Sequence, residues 1–457
     1  MSYEDNIQDI YELSPMQSGM LYHSLVDRHS GAYFEQSEFK IEGDINPKIL
    51  EQSFNKVIDR YDILRTVFIH EDLDLPLQVV LKNRDIKLAY NEITDVNSED
   101  QEKIIEEYKT KERYIGFDLS IDNLTKVTLF KTGEHEYKLL WSFHHILIDG
   151  WCTTILFRDL LAYYSSIKNG VECKLPLTNN YRKYIDWLEL QNKEEALNFW
   201  KRYLEGFEGA NSLPKKNNTN NGYVKGNFSL ELDTEVMNKL TKLVSSNRVT
   251  PNIIFQAVWG LLLQQYNNSD DTIFGAVTSG RPSEIEHVEE MVGLFINTVP
   301  IRVKSEANDT FITLIERLQK NTKEMKSYEY MSLSEVQTLT EKGIDLIDHI
   351  MAFQNYAINE GFKEISNYDS SLGFKIIGTN GEDQTNYHLN IIVFPRKNYV
   401  LNIDYNKNMY DDYIISNVLK HFQDLFEYIL ETPDCLIRDV LVVNCKQRVI
   451  KCNFQGL

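Results

Sequence analysis

The chain has 457 residues, 42% of them hydrophobic and 25% charged, a globular composition that excludes wholesale disorder and collagen-like or coiled-coil architecture. At about 150 residues per domain, the length predicts two or three domains or one large pseudo-duplicated unit. A net charge of −20 with no basic stripe argues against binding nucleic acid or an anionic membrane, since neutralising phosphates needs clustered Lys and Arg.

The acidic opening, MSYEDNIQDIYEL, has neither the basic nor the apolar region of a signal peptide. Leu50, Phe54, Val57, Ile58 and Leu64 recur at helical spacing and predict a helix over 49–63. Short β-rich runs follow at 64–69 and 77–81, and a charged helical pattern at 99–114. The runs 125–130 and 137–143 flank a polar stretch containing Gly133, which predicts a hairpin. A helix over 151–168 ends at Gly170, and a second helical region covers 181–204. The stretch 206–227, with Pro214, Lys215, Lys216 and a run of Asn and Gly, reads as a loop with no means of packing. Helices are predicted over 234–246 and 251–266, the latter with Thr250 as N-cap and Pro251 in its first turn. Strand-like runs then fall at 272–277, 297–303, 347–353, 390–394 and 399–405, before a last helix over 411–430. The longest apolar run, 253–263, is interrupted by Gln256 and Gly260 and is short of the roughly 18 residues of a membrane span. No short tandem repeat is present, and the two halves share one α+β texture.

Cys152, Cys173, Cys435, Cys445 and Cys452 form no CxxC pair, so neither a zinc ribbon nor a thioredoxin-like site is expected. An odd cysteine count without an export signal predicts reduced thiols in the cytoplasm. GxSxG, GxxxxGK[ST], HExxH, EF-hand and GxGxxG patterns are absent, which removes the corresponding hydrolase and nucleotide chemistries.

One constellation remains. His144 and His145 close a predicted strand, Ile146, Leu147 and Ile148 bury the turn, and Asp149 and Gly150 precede a predicted helix. Loops positioned by rigid elements are where sites concentrate. An imidazole is the natural base near neutral pH, a buried Asp requires a partner, and Gly150 permits a close approach that a Cβ would block. Adjacent histidines on an extended strand point to opposite faces and rarely share an ion, so no metal is expected. Cys152 has nothing to activate it and reads as packing, as do Trp151 and Trp187, while Asn297 and Thr298 read as fixing a strand bend.

The segment His144-His145-Ile146-Leu147-Ile148-Asp149-Gly150 resembles the HHxxxDG signature of the condensation domains of nonribosomal peptide synthetases. It does not stand alone. Leu13-Ser14-Pro15-Met16-Gln17-Ser18-Gly19-Met20-Leu21-Tyr22-His23 is similar to that family's opening motif, read on its own as packing of an N-terminal segment. Arg60-Tyr61-Asp62-Ile63-Leu64-Arg65-Thr66-Val67-Phe68 resembles its RHExLRTxF motif, with Tyr61 in place of the usual His. Residues 181–188 resemble the fourth motif, and Ser279-Gly280-Arg281-Pro282 with 292–298 the fifth. Residues 328–336 and 350–356 resemble the last two more loosely.

The resemblance implies an α/β (α+β) fold of two chloramphenicol-acetyltransferase-like lobes, a V-shaped pseudo-dimer with the motif in a central tunnel. It places an N-terminal lobe at 1–180, a C-terminal lobe at 181–443, and the start of a linker to a following adenylation domain at 444–457. The implied reaction is amide bond formation, in which a donor acyl or peptidyl thioester passes to the amine of an aminoacyl acceptor. Both arrive on phosphopantetheine arms of upstream and downstream peptidyl carrier proteins, and no cofactor is held permanently. His145 is the implied catalytic residue, as base or as an orienting group, with His144 beside it. Asp149 is expected to pair with an arginine, Arg281 first and Arg65 second, and Gly150 to turn a backbone N–H toward the oxyanion. Both histidines are kept, unlike in heterocyclising or inactive recruiting relatives. The opening SPMQSGMLYH and the form HHILIDGWC look more like the subtype whose donor ends in a D-residue. The alternatives are an L-ended donor and a non-catalytic platform that only docks carriers. A cytoplasmic setting, with no nucleic acid and no membrane, completes the expectation.

Overall fold

The computed structural model describes residues 4–27, 30–209, 211–217, 222–306, 308–354, 370–382 and 384–440. In chain order the elements are β1 (Ile7–Glu12), α1 (Pro15–Val26), β2 (Phe34–Gly43), α2 (Pro47–Arg60), β3 (Thr66–Ile69), β4 (Leu77–Leu81), β5 (Ala89–Glu92), α3 (Ser98–Ile115), β6 (Thr125–Lys131), β7 (Glu136–His144), α4 (Gly150–Asn169), α5 (Arg182–Glu189) and α6 (Lys193–Leu204). They continue with β8 (Lys225–Glu231), α7 (Thr234–Asn247), α8 (Pro251–Asn267), β9 (Asp271–Thr278), β10 (Asn297–Lys304), α9 (Phe311–Met325), α10 (Leu333–Gln337), β11 (Ile350–Phe353), β12 (Phe374–Glu382), β13 (Leu389–Pro395), β14 (Tyr399–Asn406) and α11 (Asp412–Glu431). Helix starts follow the capping chemistry that the sequence offers. Asn46, Asn97, Asp149, Asn192, Asp233, Thr250, Thr310 and Asp411 each accept a first-turn N–H on the side chain.

Two compact units divide the chain. The first comprises Met1–Gln191, Ser279–Ile296 and Tyr356–Asn386, and the second Asn192–Thr278, Asn297–Asn355 and Tyr387–Leu457. This differs from a single cut at residue 180. The reason is that β12, far along the chain, pairs with the edge of the first unit's main sheet through β2, while 279–296 bonds to the start of α4. Residues 444–457 lie outside the described residues, as do Cys445, Cys452 and the last two residues of 350–356.

The first unit holds a five-stranded sheet, β12-β2-β7-β6-β5, and a small sheet, β1-β4-β3. The expected hairpin is β6–β7, antiparallel with Thr125 opposite Phe143. One face of the larger sheet is apolar. Phe39 stacks on Phe157 of α4 at 4.8 Å, and Trp141 meets Phe54 of α2 at 5.9 Å. The other face is polar although buried. Gln36 and Ser142 lie beneath α3, where the Ser142 hydroxyl donates to Glu112 at 2.8 Å and Lys138 donates to Glu102 at 2.6 Å. That polar lining hides β2 from an apolar pattern, because its inward positions include Gln36 and Glu38.

The second unit is a six-stranded sheet, β10-β9-β11-β13-β14-β8. Helix α8 is buried on every side from Ile253 to Gln264, with Phe255 packed against Phe422 and Phe426 of α11. The longest apolar run is thus a core helix, and among the described residues no helix is long and apolar enough to cross a membrane. The predicted helical region 181–204 is two helices, because Asn192 caps a new start at α6. The segment after α6 also departs from expectation. Phe207, Asn211 and Leu213 are buried, Asn211 donates to the Leu346 carbonyl at 2.6 Å, and Lys215 pairs with Asp348. Its few apolar side chains anchor it, so Leu213→Ala is expected to cost about 2–5 kcal/mol in a urea titration. A solvated loop would lose no more than about 0.5 kcal/mol.

Candidate active site

β7 ends at His144, and the next residues form two overlapping turns. The Leu147 N–H donates to the His144 carbonyl at 3.1 Å and the Ile148 N–H to the His145 carbonyl at 3.2 Å. Ile146, Leu147 and Ile148 are fully buried, so the turn is pinned by apolar burial. The His144 N–H donates to Leu124 O at 3.0 Å, and the His145 N–H to Tyr33 O at 2.8 Å. His145 itself is half-buried.

The two histidines have different chemistry. His144 is 4% exposed, and its Nδ1 accepts the Ile146 N–H at 3.1 Å. Its proton therefore sits on Nε2, which donates to Ser24 Oγ at 3.1 Å. Burial, with His145 alongside, pushes its pKa down to about 3. A neutral ring with both nitrogens engaged supports the turn and does not take a proton from a substrate.

Asp149 caps α4 and joins three segments. Its Oδ1 accepts the Cys152 N–H at 3.2 Å and lies 3.4 Å from Arg281 Nη2. Its Oδ2 accepts the Phe295 N–H at 3.1 Å, and its own N–H donates to Gly293 O at 3.3 Å. Arg281 is buried over the Phe295 ring at 4.0 Å and donates to Val288 O at 2.6 Å and Met291 O at 3.0 Å. Burial opposes its charge most strongly, but Asp149 and the Cys152 sulfur outweigh burial and hold its pKa above the usual value. Gly280, at φ +57°, makes the turn that delivers Arg281, where a Cβ would strike the Phe295 carbonyl. The Cys152 thiol lies 3.1 Å from Gly293 O and is pushed up to about 12 by burial and by Asp149, so it is no nucleophile.

Of the two arginines expected near Asp149, Arg281 is there and Arg65 is elsewhere. Arg65 donates to Leu81 O at 2.9 Å, Ile58 O at 2.5 Å and Asp59 O at 2.7 Å, tying the end of α2 to β4. Tyr61, standing where the family has His, donates to the fully buried Asp159 at 2.6 Å. Gly150 opens α4 and is half-buried. Trp151 is not a core anchor. It is 40% exposed and donates to Glu289 O at 3.0 Å. In the second unit Asn297 donates to Glu329 O at 2.7 Å and Met331 O at 2.8 Å, which ties the start of β10 to that segment. Sequence reasoning missed Ser24 and the link from Gln17 Nε2 to Ile146 O at 3.3 Å. Gln17 lies in the opening motif, but only the fold reveals that this motif touches the turn. Among the described residues no three His, Cys, Asp or Glu side chains gather as a metal site.

The fold is that of a recognised class. The family model described as Condensation domain matches residues 7–448, and the chain belongs to the condensation-domain family. It is 39% identical over 449 residues to gramicidin S synthase 2 of Brevibacillus brevis, covering 97% of this chain and 10% of that protein. Surfactin synthase subunit 3 of Bacillus subtilis (strain 168) is 36% identical over 446 residues, which is 97% of this chain and 35% of that protein. The chain thus spans about a tenth of the first relative and about a third of the second. The fold matches a four-domain nonribosomal peptide synthetase, holo-AB3403, with TM-score 0.78 at 16% identity over 95% of this chain and 34% of that one. It also matches the X-domain from teicoplanin biosynthesis with TM-score 0.78 at 20% identity, over 94% of this chain and 96% of that one.

Two expectations follow from the site. Asp149→Ala strands the buried Arg281 charge and is expected to cost about 3–5 kcal/mol in denaturant melts, with Arg281→Met, Asp149→Ala recovering part of the loss. His144 binds a proton near pH 6.5 when unfolded but only near 3 when folded. Its contribution is whole above about pH 6.5 and is lost as pH falls toward 3. The stability difference between wild type and His144→Gln, measured by melting from pH 7 to 4, should therefore shrink on acidification.

Proposed function

We propose that this chain forms amide bonds in nonribosomal peptide synthesis. The acceptor amine attacks the donor thioester carbonyl, a C–N bond forms, the C–S bond breaks, and the thiol leaves with a proton. The observation that supports this reading is His145. It stands just beyond β7, held through its backbone N–H and C=O, beside a histidine locked neutral. An α-amine with pKa near 8 is already partly neutral at pH 7, so His145 acts on the attacking N–H as base or by orienting it. Much of the acceleration comes from bringing two tethered reactants together. The Gly150 N–H, in the first turn of α4 where no intrahelical acceptor exists, is assigned to the developing oxyanion.

The reactants arrive on phosphopantetheine arms of upstream and downstream peptidyl carrier domains, in a cytoplasmic synthetase that continues into an adenylation domain. No permanent cofactor, nucleic acid or membrane takes part. The proposed lobes are 1–180 and 181–443. The donor ends in a D-residue, a reading supported by SPMQSGMLYH and HHILIDGWC.

A second reading is a platform that docks carriers without catalysis. What favours it is that the teicoplanin X-domain has this fold and is also known in complex with OxyB, so the fold alone does not decide. The retained His145 favours catalysis.

In a single-turnover assay with carrier-loaded substrates, wild type should form peptide and His145→Ala should slow it about 10²–10⁴-fold if His145 is a general base. A loss below about tenfold assigns it an orienting role. Carrier binding without any peptide from wild type would establish the platform. A preference for L-ended over D-ended donors would overturn the donor assignment alone.

A further inference from the structure

Tyr33 is buried, at 7% exposure, with φ of +63°. Glycine reaches that conformation freely, but a bulky aromatic residue holds it only where its surroundings impose it. Here they do. The Tyr33 N–H donates to Gln384 O at 2.8 Å, and its hydroxyl donates to Asn386 Oδ1 at 2.8 Å. Its ring lies 6.4 Å from His23 and 6.3 Å from His144, centre to centre. The clamp is itself held, since Gln384 Nε2 donates to Ser30 O at 3.0 Å and Asn386 Nδ2 lies 3.3 Å from His23 Nε2. All of these residues belong to the first unit.

The constrained residue has one consequence at the site. Phe34 pairs with His144 at the end of the β2–β7 ladder, and the bond from the His145 N–H to Tyr33 O at 2.8 Å adds one further rung. Tyr33 turns its chain away in the left-handed conformation while keeping its carbonyl on His145. A turn needs no aromatic ring for this, and Gly31, at φ +72° two residues earlier, shows that glycine serves the same loop. The ring and hydroxyl of Tyr33 therefore do something besides turning the chain.

We propose that Tyr33 is a positioning residue for His145, with Asn386 and Gln384 as the clamp that holds it. The proposal rests on the condensation reading for its kinetic consequence, but the position of the His145 ring can be read without it.

The test uses the full chain as wild type, Tyr33→Phe, Asn386→Ala, the double variant and Asn386→Asp, which keeps an acceptor for the hydroxyl. Condensation kinetics, thermal melting and the assigned His145 ring resonances are recorded for each. Tyr33→Phe and Asn386→Ala should each lower kcat about tenfold, as a small misplacement of a reacting group does, with the acceptor KM unchanged. The double variant should be no worse than either single, since both remove one bond. Asn386→Asp should restore most of the rate, and the His145 resonances should shift in both damaged variants. Unshifted resonances overturn the proposal, as does a kcat loss that the lost folded fraction accounts for in full. If wild type forms no peptide, the condensation reading fails, and the resonances alone decide on Tyr33.

Discussion

Asp149 is a carboxylate 2% exposed to solvent, and a buried carboxylate must be matched by donors or it will not stay charged. Its donors come from different parts of the chain. The Cys152 N–H belongs to the helix that Asp149 caps, the Phe295 N–H to a segment well over a hundred residues later, and the Arg281 guanidinium to the start of that segment. One charge therefore fixes where α4 starts, and so where the preceding turn ends. It also draws 279–296 into the first unit. The pair with Arg281 is long for a charge-assisted bond, so no single contact carries the arrangement. Arg281 is also held by two carbonyls and an aromatic face, and removing Asp149 leaves its buried charge without a counter-ion.

His144 and His145 are adjacent and identical, yet the fold gives them different surroundings. His144 is the last residue of β7, on the face beneath α3, where desolvation favours the neutral ring and a backbone N–H fixes its tautomer. His145 is the first residue of the turn, anchored through its backbone and half-buried at its side chain. The backbone of the second is held by the Tyr33 carbonyl and the Ile148 N–H.

Much of this was legible in the sequence where the physics is local. Helix starts were marked by caps such as Thr250, the β6–β7 hairpin by two runs flanking a polar stretch with Gly133, and the histidine turn by a spacing with no other role. Arg281 came from a family resemblance that the geometry now accounts for. What could not be read was non-local. Nothing near Tyr33 names Asn386 as its partner, and the polar lining of the main sheet conceals β2 because Gln36 and Glu38 point inward to α3. The stretch after α6 looked solvated because Asn and Lys dominate it, yet Leu213 and Asn211 suffice to bury it. Composition averages over a segment, whereas packing is decided by the one or two side chains that find a cavity.

The segment 279–296 is fastened to α4 at more than one level, and this bears on how rigid the site is. Near the N-terminus of the helix, Asp149, Cys152 and Trp151 hold Phe295, Gly293 and the Glu289 carbonyl. Two turns further on, Arg158 reaches Glu290 at 2.9 Å and also the fully buried Asp159 at 2.8 Å. Asp159 in turn accepts from Tyr61, which brings the end of α2 into the same network. A helix tied at both levels cannot rotate about either tie without breaking the other. The turn that carries His145 is the direct N-terminal continuation of that helix, so its orientation is set by a braced element and not by a free loop.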